Sequence, residues 1–258
     1  MDIICRNLSD GGSLVYVWFY AMHTRMDIVA WDLHIPTKDI KSICAEVEEE
    51  VRRIERMGSC FIPDSELSGI NASAPDCAVD ISEELYQILS RCISYNRSTG
   101  GYFDVTASEG SITCVVDSLS LRDGSVARRR ADVKINLSGF LKGYALDKAA
   151  AKFRMCGIRN ALLNFGNSSV CGLGNHPEGE GWIVETLADD RFILKDTCLT
   201  TSGNAGREET KIINPLTGEA ILGKGMVSVV TSTAEEGEVQ STVRFIKNNI
   251  KTFDIAIH

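Results

Sequence analysis

Histidine is scarce in this 258-residue chain: four occur, His23, His34, His176 and His258, none at metal-ligand spacing from another, which removes a histidine-rich metal site. Cysteine shows number without pattern. Nine stand at 5, 44, 60, 77, 92, 114, 156, 171 and 198, never closer than 15 residues, and no C-x-x-C pair exists. An odd count without ligand spacing predicts reduced, mostly buried thiols in a cytosolic compartment and argues against structural zinc or a disulfide framework. No apolar run reaches the roughly 18 to 20 residues that a membrane-spanning helix needs. The residues before Ser13 include Asp2, Arg6 and Asp10, carry no net positive charge and show no small-residue cleavage site, so they do not read as a signal peptide and a cytoplasmic location is expected. Basic charge is also in deficit. Lys plus Arg number 27 against 35 Asp plus Glu, a formal balance of −8 that argues against a nucleic-acid partner. The densest basic run, Arg128 to Arg130, is read as a solvated turn. G-x-x-x-x-G-K-[ST] and G-x-S-x-G are both missing, and Ser202 has no assignable base, so a P-loop and a serine-hydrolase elbow drop out.

What is present is globular: 44% hydrophobic and 24% charged residues, without internal repeat or linker-like tract. We expect an N-terminal extension over 1–12 and one composite α+β domain over 13–258. Ser13 to His34 is rich in Val, Ile and aromatics and partly alternating, predicting two strands with a turn near His23 to Arg25. Ile40, Ile43, Val47, Val51 and Ile54 recur at steps of three and four, predicting an amphipathic helix capped by Thr37 or Asp39 and ended by Gly58. Ser82 to Tyr95 reads as a second helix, and Tyr102 to Thr106 as extended chain after Gly100 and Gly101. Ala131 to Leu137 alternates like a strand. Leu141, Ala145, Ala149 and Phe153 then predict a helix ending at Cys156-Gly157. Strands are expected at Ala161 to Phe165, Trp182 to Leu187, Phe192 to Leu194 and Met226 to Thr231. Thr233-Ala-Glu-Glu236 is a capping box opening a last helix with Val239, Val243 and Ile246 on its buried face.

Several separated strings recur in an order that carries more than any one of them. They are Met22-His-Thr24, Ser59-Cys-Phe-Ile-Pro-Asp-Ser-Glu-Leu-Ser-Gly-Ile-Asn71, Gly101-Tyr-Phe-Asp-Val-Thr106, Leu137-Ser-Gly-Phe-Leu-Lys-Gly-Tyr-Ala-Leu-Asp147, Thr201-Ser-Gly203 and Ile213-Asn-Pro-Leu-Thr-Gly218. Together, from about residue 20 to 250, the chain resembles the ApbE-type FAD:protein FMN transferases. The resemblance implies an α+β fold with mixed or antiparallel sheets packed by helices. It also implies a Mg2+-dependent enzyme that cleaves FAD, attaches FMN to a threonine of an acceptor flavoprotein subunit and releases AMP. By the same resemblance Met22, Phe61, Tyr102, Phe103, Asp104 and Lys142 contact FAD, Lys142 and Thr242 serve catalysis, and Gly139 (through its carbonyl), Glu238 and Thr242 hold the metal.

Elementary chemistry agrees with these assignments. Lys142 in the first turn of a helix sets a cation beside backbone N–H groups and a positive dipole end, which suits a pyrophosphate. Phe61, Tyr102 and Phe103 are candidates to stack on flavin or adenine, and Asp104 to accept from a ring edge or ribose. Glu238 and Thr242, four apart on one helix face, offer the oxygen ligands Mg2+ prefers. The chain also departs from the family. Glu238 replaces an Asp, which moves the carboxylate by about 1.5 Å. Lys211 and Asn214 replace a His and an Asp, Asn167 and Ser168 replace a Gly and an acid, and the tyrosine of T-S-G-x-Y-x-R is missing before Arg207. The alternatives are therefore an FAD pyrophosphatase using water, or an FAD-binding protein that has lost transfer. No Asp-x-x-Ser/Thr-Gly-Ala-Thr acceptor string occurs, so self-flavinylation is not expected.

Overall fold

The computed structural model describes residues 1–8, 12–186, 190–204, 212–221 and 225–249. Its framework is a seven-stranded sheet, antiparallel throughout, in the order β1-β2-β3-β7-β8-β11-β14. Its strands are β1 (Asp2–Asn7), β2 (Ser13–Ala21), β3 (Thr24–Asp32), β7 (Asn160–Phe165), β8 (Ser169–Leu173), β11 (Thr197–Gly203) and β14 (Met226–Thr231). The apolar stretch before Thr24 is thus half of a β2–β3 hairpin, in which Val15, Val17 and Phe19 point to the core while alternate residues face out. Strand β1 pairs along β2 with every residue exposed.

Three helices cover one face of the sheet: α1 (Thr37–Gly58), α5 (Leu141–Met155) and α6 (Ala234–Asn248). The expected stripe of α1 is buried, with Ile40, Val47 and Ile54 fully enclosed. Its cap differs: Pro36 occupies the N-cap and no side chain bonds there, so neither Thr37 nor Asp39 does so. In α6 the N-cap half of the expected box is seen, with Thr233 Oγ1 accepting from Glu236 N at 3.3 Å, while the Glu236 carboxylate accepts from Gln240. The opposite face of the sheet is partly covered by the hairpin of β9 (Trp182–Glu185) and β10 (Arg191–Leu194), where Val170, Leu194 and Leu199 form a small second core. Leu187, the expected end of that strand, lies outside the described residues.

Beyond α1, the helices α2 (Glu66–Ala72), α3 (Glu83–Ser98) and α4 (Val115–Ser118) accompany a three-stranded sheet of β4 (Val79–Asp80), β6 (Ser125–Arg128) and β5 (Leu119–Arg122). Short strands β12 (Ile212–Asn214) and β13 (Glu219–Ile221) form a separate hairpin. Two expected strands are corrected. Ala131 to Leu137 buries Val133, Ile135 and Leu137 as alternation required, yet among the described residues no strand pairs with it. Instead the Asn71 side chain supplies what a neighbouring strand would, donating to Ile135 O and accepting from Ile135 N, both at 2.8 Å. Tyr102 to Thr106 is a turn organised by Asp104 rather than extended chain.

The basic run is corrected as well. Arg128 is 2% exposed, and its guanidinium donates to the carbonyls of Ile70, Ser73, Arg130, Ala131 and Val133. A buried arginine persists where its donors are satisfied. Arg129 and Arg130 do lie outside the core. The cysteine expectation is overturned for two residues: Cys171 of β8 and Cys198 of β11 stand opposite each other and form a disulfide, while the other seven are free, of which Cys44 and Cys92 are buried and the rest are partly or fully exposed. A separation of 27 residues without local spacing hides such a pair until the strand register is known.

Candidate active site

The string Lys142-Gly-Tyr-Ala-Leu-Asp147 opens α5, and three of its side-chain positions have distinct structural consequences. At Gly143 a Cβ would sit 2.6 Å from Ala234 O and 2.7 Å from Glu238 Cγ, so only glycine lets α5 and α6 approach this closely. Asp147, one turn later, accepts from Ala234 N and Glu235 N at 2.8 Å each, satisfying two of the orphan amides that begin α6. Lys142 Nζ donates to Ser168 Oγ at 2.6 Å across the β7–β8 turn. A neutral hydroxyl here stands in for the acid expected by resemblance, so the lysine charge is not cancelled by its direct partner.

Glu238 lies in this crevice, 5% exposed. Ser169 Oγ donates to its Oε1 at 2.6 Å. Burial pushes the Glu238 carboxyl above its ordinary value, with Lys142, the Ser169 hydroxyl and the Gly143 amide pulling the other way. One helical turn on, Thr242 Oγ1 lies 3.2 Å from Ser202 Oγ, which also contacts Ser241 Oγ at 2.8 Å. Gly139 is exposed, one turn ahead of Gly143, and among the described residues no hydrogen bond ends on its carbonyl. Carboxylate, hydroxyl and carbonyl oxygens are the hard donors Mg2+ takes, so this set fits that ion in its chemistry.

A second group gathers where the β2–β3 turn meets the end of α1. Met22 and His23 occupy positive-φ turn positions, and Met22 N donates to Glu55 Oε1 at 2.7 Å. The His23 ring meets Phe61 edge-on, centroids 5.4 Å apart, and Phe61 is 62% exposed. Of the three aromatic candidates Phe61 thus offers the freest face. Tyr102 is half-buried, with Lys247 Nζ 4.8 Å from its ring centre. Phe103, 4% exposed, packs against Tyr95 and Phe140 in an aromatic cluster beneath the surface. The Asp104 carboxylate accepts from Thr106 N and Oγ1, Asn96 Nδ2 and Val115 N, so its placement organises the loop; burial raises its pKa.

Of the departures, Asn214 is the most readily explained: its Oδ1 accepts from Leu216 N at 3.0 Å and its carbonyl from Thr217 and Gly218, a turn that needs an acceptor oxygen but no charge. Lys211 and Arg207 lie outside the described residues. Sequence reasoning gave no role to Ser169, Ser202, Gly143 or Asp147. Only the i, i+4 relation of Gly143 and Asp147 signalled that both face α6.

Comparison with known proteins adds the family context. The ApbE family model matches residues 22–113 and 110–257. An FAD:protein FMN transferase of Haemophilus influenzae is 21% identical over 82% of this chain and 74% of its own length. One from Chlamydia pneumoniae is 22% identical over 72% and 69%. Among solved structures, the ApbE protein of Thermotoga maritima superposes with a TM-score of 0.80 at 22% identity, covering 92% of this chain and 88% of that one. The flavin transferase ApbE of Vibrio cholerae gives 0.78 at 18%, covering 91% and 87%.

Proposed function

The chain belongs to the ApbE family, and from that premise we propose that it transfers FMN from FAD to a threonine of an acceptor flavoprotein, releasing AMP, with Mg2+ as its metal. The observation that carries the reading is Lys142, a cation in the first turn of α5 whose direct partner is the neutral Ser168 hydroxyl. Such a lysine, beside helix N–H groups, is suited to hold a pyrophosphate. Phe61 and Tyr102 would offer ring faces to the flavin or adenine, with Met22 and the Asp104 loop framing them.

In the proposed reaction the acceptor threonine oxygen bonds to the FMN-side phosphorus. The bond from that phosphorus to the bridging oxygen breaks, AMP leaves with the bridging oxygen, and the hydroxyl proton passes to solvent. Lys142 favours the step by opposing the negative charge that builds on the phosphate oxygens. Mg2+ would be held by Glu238, Thr242 and the Gly139 carbonyl, and when bound it would neutralise charge on the leaving phosphate. Ser169 and Ser202 orient the Glu238 and Thr242 oxygens.

Among the described residues no helix is long and apolar enough to cross a membrane. We place the reaction in the cytoplasm, in keeping with seven free cysteines of which Cys5 and Cys77 are exposed. Replacement of an acid by Ser168 favours two other readings, hydrolysis of FAD and its retention intact. Incubating the protein with FAD, with and without Mg2+, and separating nucleotides by chromatography tests the proposal. Mg2+-dependent AMP supports cleavage at this site. FAD recovered intact in excess Mg2+ and acceptor overturns it, and AMP with free FMN and no labelled acceptor identifies the hydrolase instead.

A further inference from the structure

The disulfide of β8 and β11 lies beside three supports of α6: Ser169, Ser202 and Asp147. Side chains alternate along a strand, so Cys171 shares the helix-packed face of β8 with Ser169, and Cys198 shares that of β11 with Thr200 and Ser202. In the strand register Cys171 is opposite Cys198, and Ser169 is opposite Thr200. Ser169 holds Glu238, and Ser202 contacts Thr242. The third connection is Asp147, whose carboxylate and the two sulfurs all lie within 4.8 Å of one another. That carboxylate also receives the first amides of α6.

We propose that Cys171–Cys198 is a thiol–disulfide modification site, with a dithiol or its disulfide as co-reactant, whose oxidation state sets how firmly α6 is held against β8 and β11. In reduction the Sγ–Sγ bond breaks, and each sulfur gains one electron and one proton. The co-reactant's two thiols give up those electrons and protons and close into a disulfide; oxidation is the reverse. In the reducing compartment proposed above, a protein disulfide is usually transient and redox-responsive. Both sulfurs belong to residues that are 1% and 4% exposed. A cavity of about 340 Å³ between α3, α5 and the start of α6 is lined by Arg91, Tyr144, Lys148 and Glu235 and reaches Asp147, whose carboxylate lies beside the sulfurs. The Asp147 carboxylate disfavours a thiolate beside the sulfurs, so exchange proceeds when this end of α6 loosens.

The functional consequence rests on the reading of Glu238 and Thr242 given above, but the mechanical coupling does not. Hydrogen exchange of the full-length chain, read by mass spectrometry, needs neither flavin nor cation and therefore decides this proposal separately from the transfer assay. Peptide mapping after alkylation should show 171 linked to 198 in protein treated with an oxidised dithiol. Amides of 169–171 and 234–242 should exchange several-fold faster after dithiothreitol reduction. A Cys171→Ala/Cys198→Ala variant should exchange like the reduced form whatever the buffer; if it does not fold, reduced and oxidised wild type still give the comparison. Equal exchange in the two redox forms, or both cysteines alkylated after oxidation, overturns the proposal.

Discussion

Ser169 Oγ donates to Glu238 Oε1 at 2.6 Å, and both side chains are buried, so strand β8 fixes the carboxylate that helix α6 carries. Removing the hydroxyl leaves a buried acceptor short of a donor, a cost of about 1–3 kcal/mol. Ser169→Ala should lower the unfolding free energy by that order in urea melts and should weaken Mn2+ binding, with calorimetry as the measure. Unchanged cation affinity would separate Ser169 from the metal reading.

Glu238 also predicts a pH dependence. Its folded pKa is raised above the ordinary glutamate value, chiefly by burial. Between the unfolded and the folded pKa the folded chain binds the extra proton, so stability falls as pH rises through that window. In cation-free buffer Glu238→Gln, which keeps an oxygen for Ser169, should flatten this decline and be more stable than wild type above the window. Urea midpoints measured from pH 4 to 8, a range set by carboxylate reference values near 4, decide it. A slope unchanged by the substitution would show that Glu238 does not titrate there.

Gly143→Ala drives a methyl to within 2.6 Å of backbone and 2.7 Å of the Glu238 side chain. Overpacking of this kind costs about 1–3 kcal/mol. Thermal unfolding should show the loss, and FAD affinity should fall with it, because α6 is displaced from α5.

Phe61 and Phe103 separate binding from folding. Phe61→Ala removes a 62% exposed ring and should leave the melting temperature near that of wild type while weakening FAD binding, read from quenching of flavin fluorescence. Phe103→Ala empties part of an aromatic cluster and should cost about 3–5 kcal/mol of stability. The reverse pattern would move the flavin face to Phe103.

Helices α1, α3, α5 and α6 were legible because each buries a stripe that repeats at three and four residues, as Ile40 to Ile54 and Leu141 to Phe153 do, whereas α2 and α4, of seven and four residues, are too short to show one and were not anticipated. The hairpin β2–β3 was legible from alternation, and the last helix from its capping box. Ala131 to Leu137 shows the limit: alternation reports one buried face, whereas a strand also needs a ladder, and here Asn71 replaces the ladder. Arg128 shows another, since three consecutive arginines give no sign that one of them satisfies carbonyls of separate segments. The candidate site was legible as strings, but not as contacts. Lys142 was named from its string, and Glu238 and Thr242 from the resemblance and their i, i+4 spacing, whereas Ser168, Ser169 and Ser202, which touch them, became visible only when β8 and β11 were placed beside α5 and α6.

The central claim is transfer, and the most direct measurement is the intact mass of an acceptor domain with a target threonine after incubation with this protein, FAD and Mg2+. The account predicts that the acceptor gains the mass of one FMN less water, that AMP appears in equal amount, and that Lys142→Ala and Thr242→Ala each suppress both. An acceptor of unchanged mass beside intact, bound FAD would contradict it.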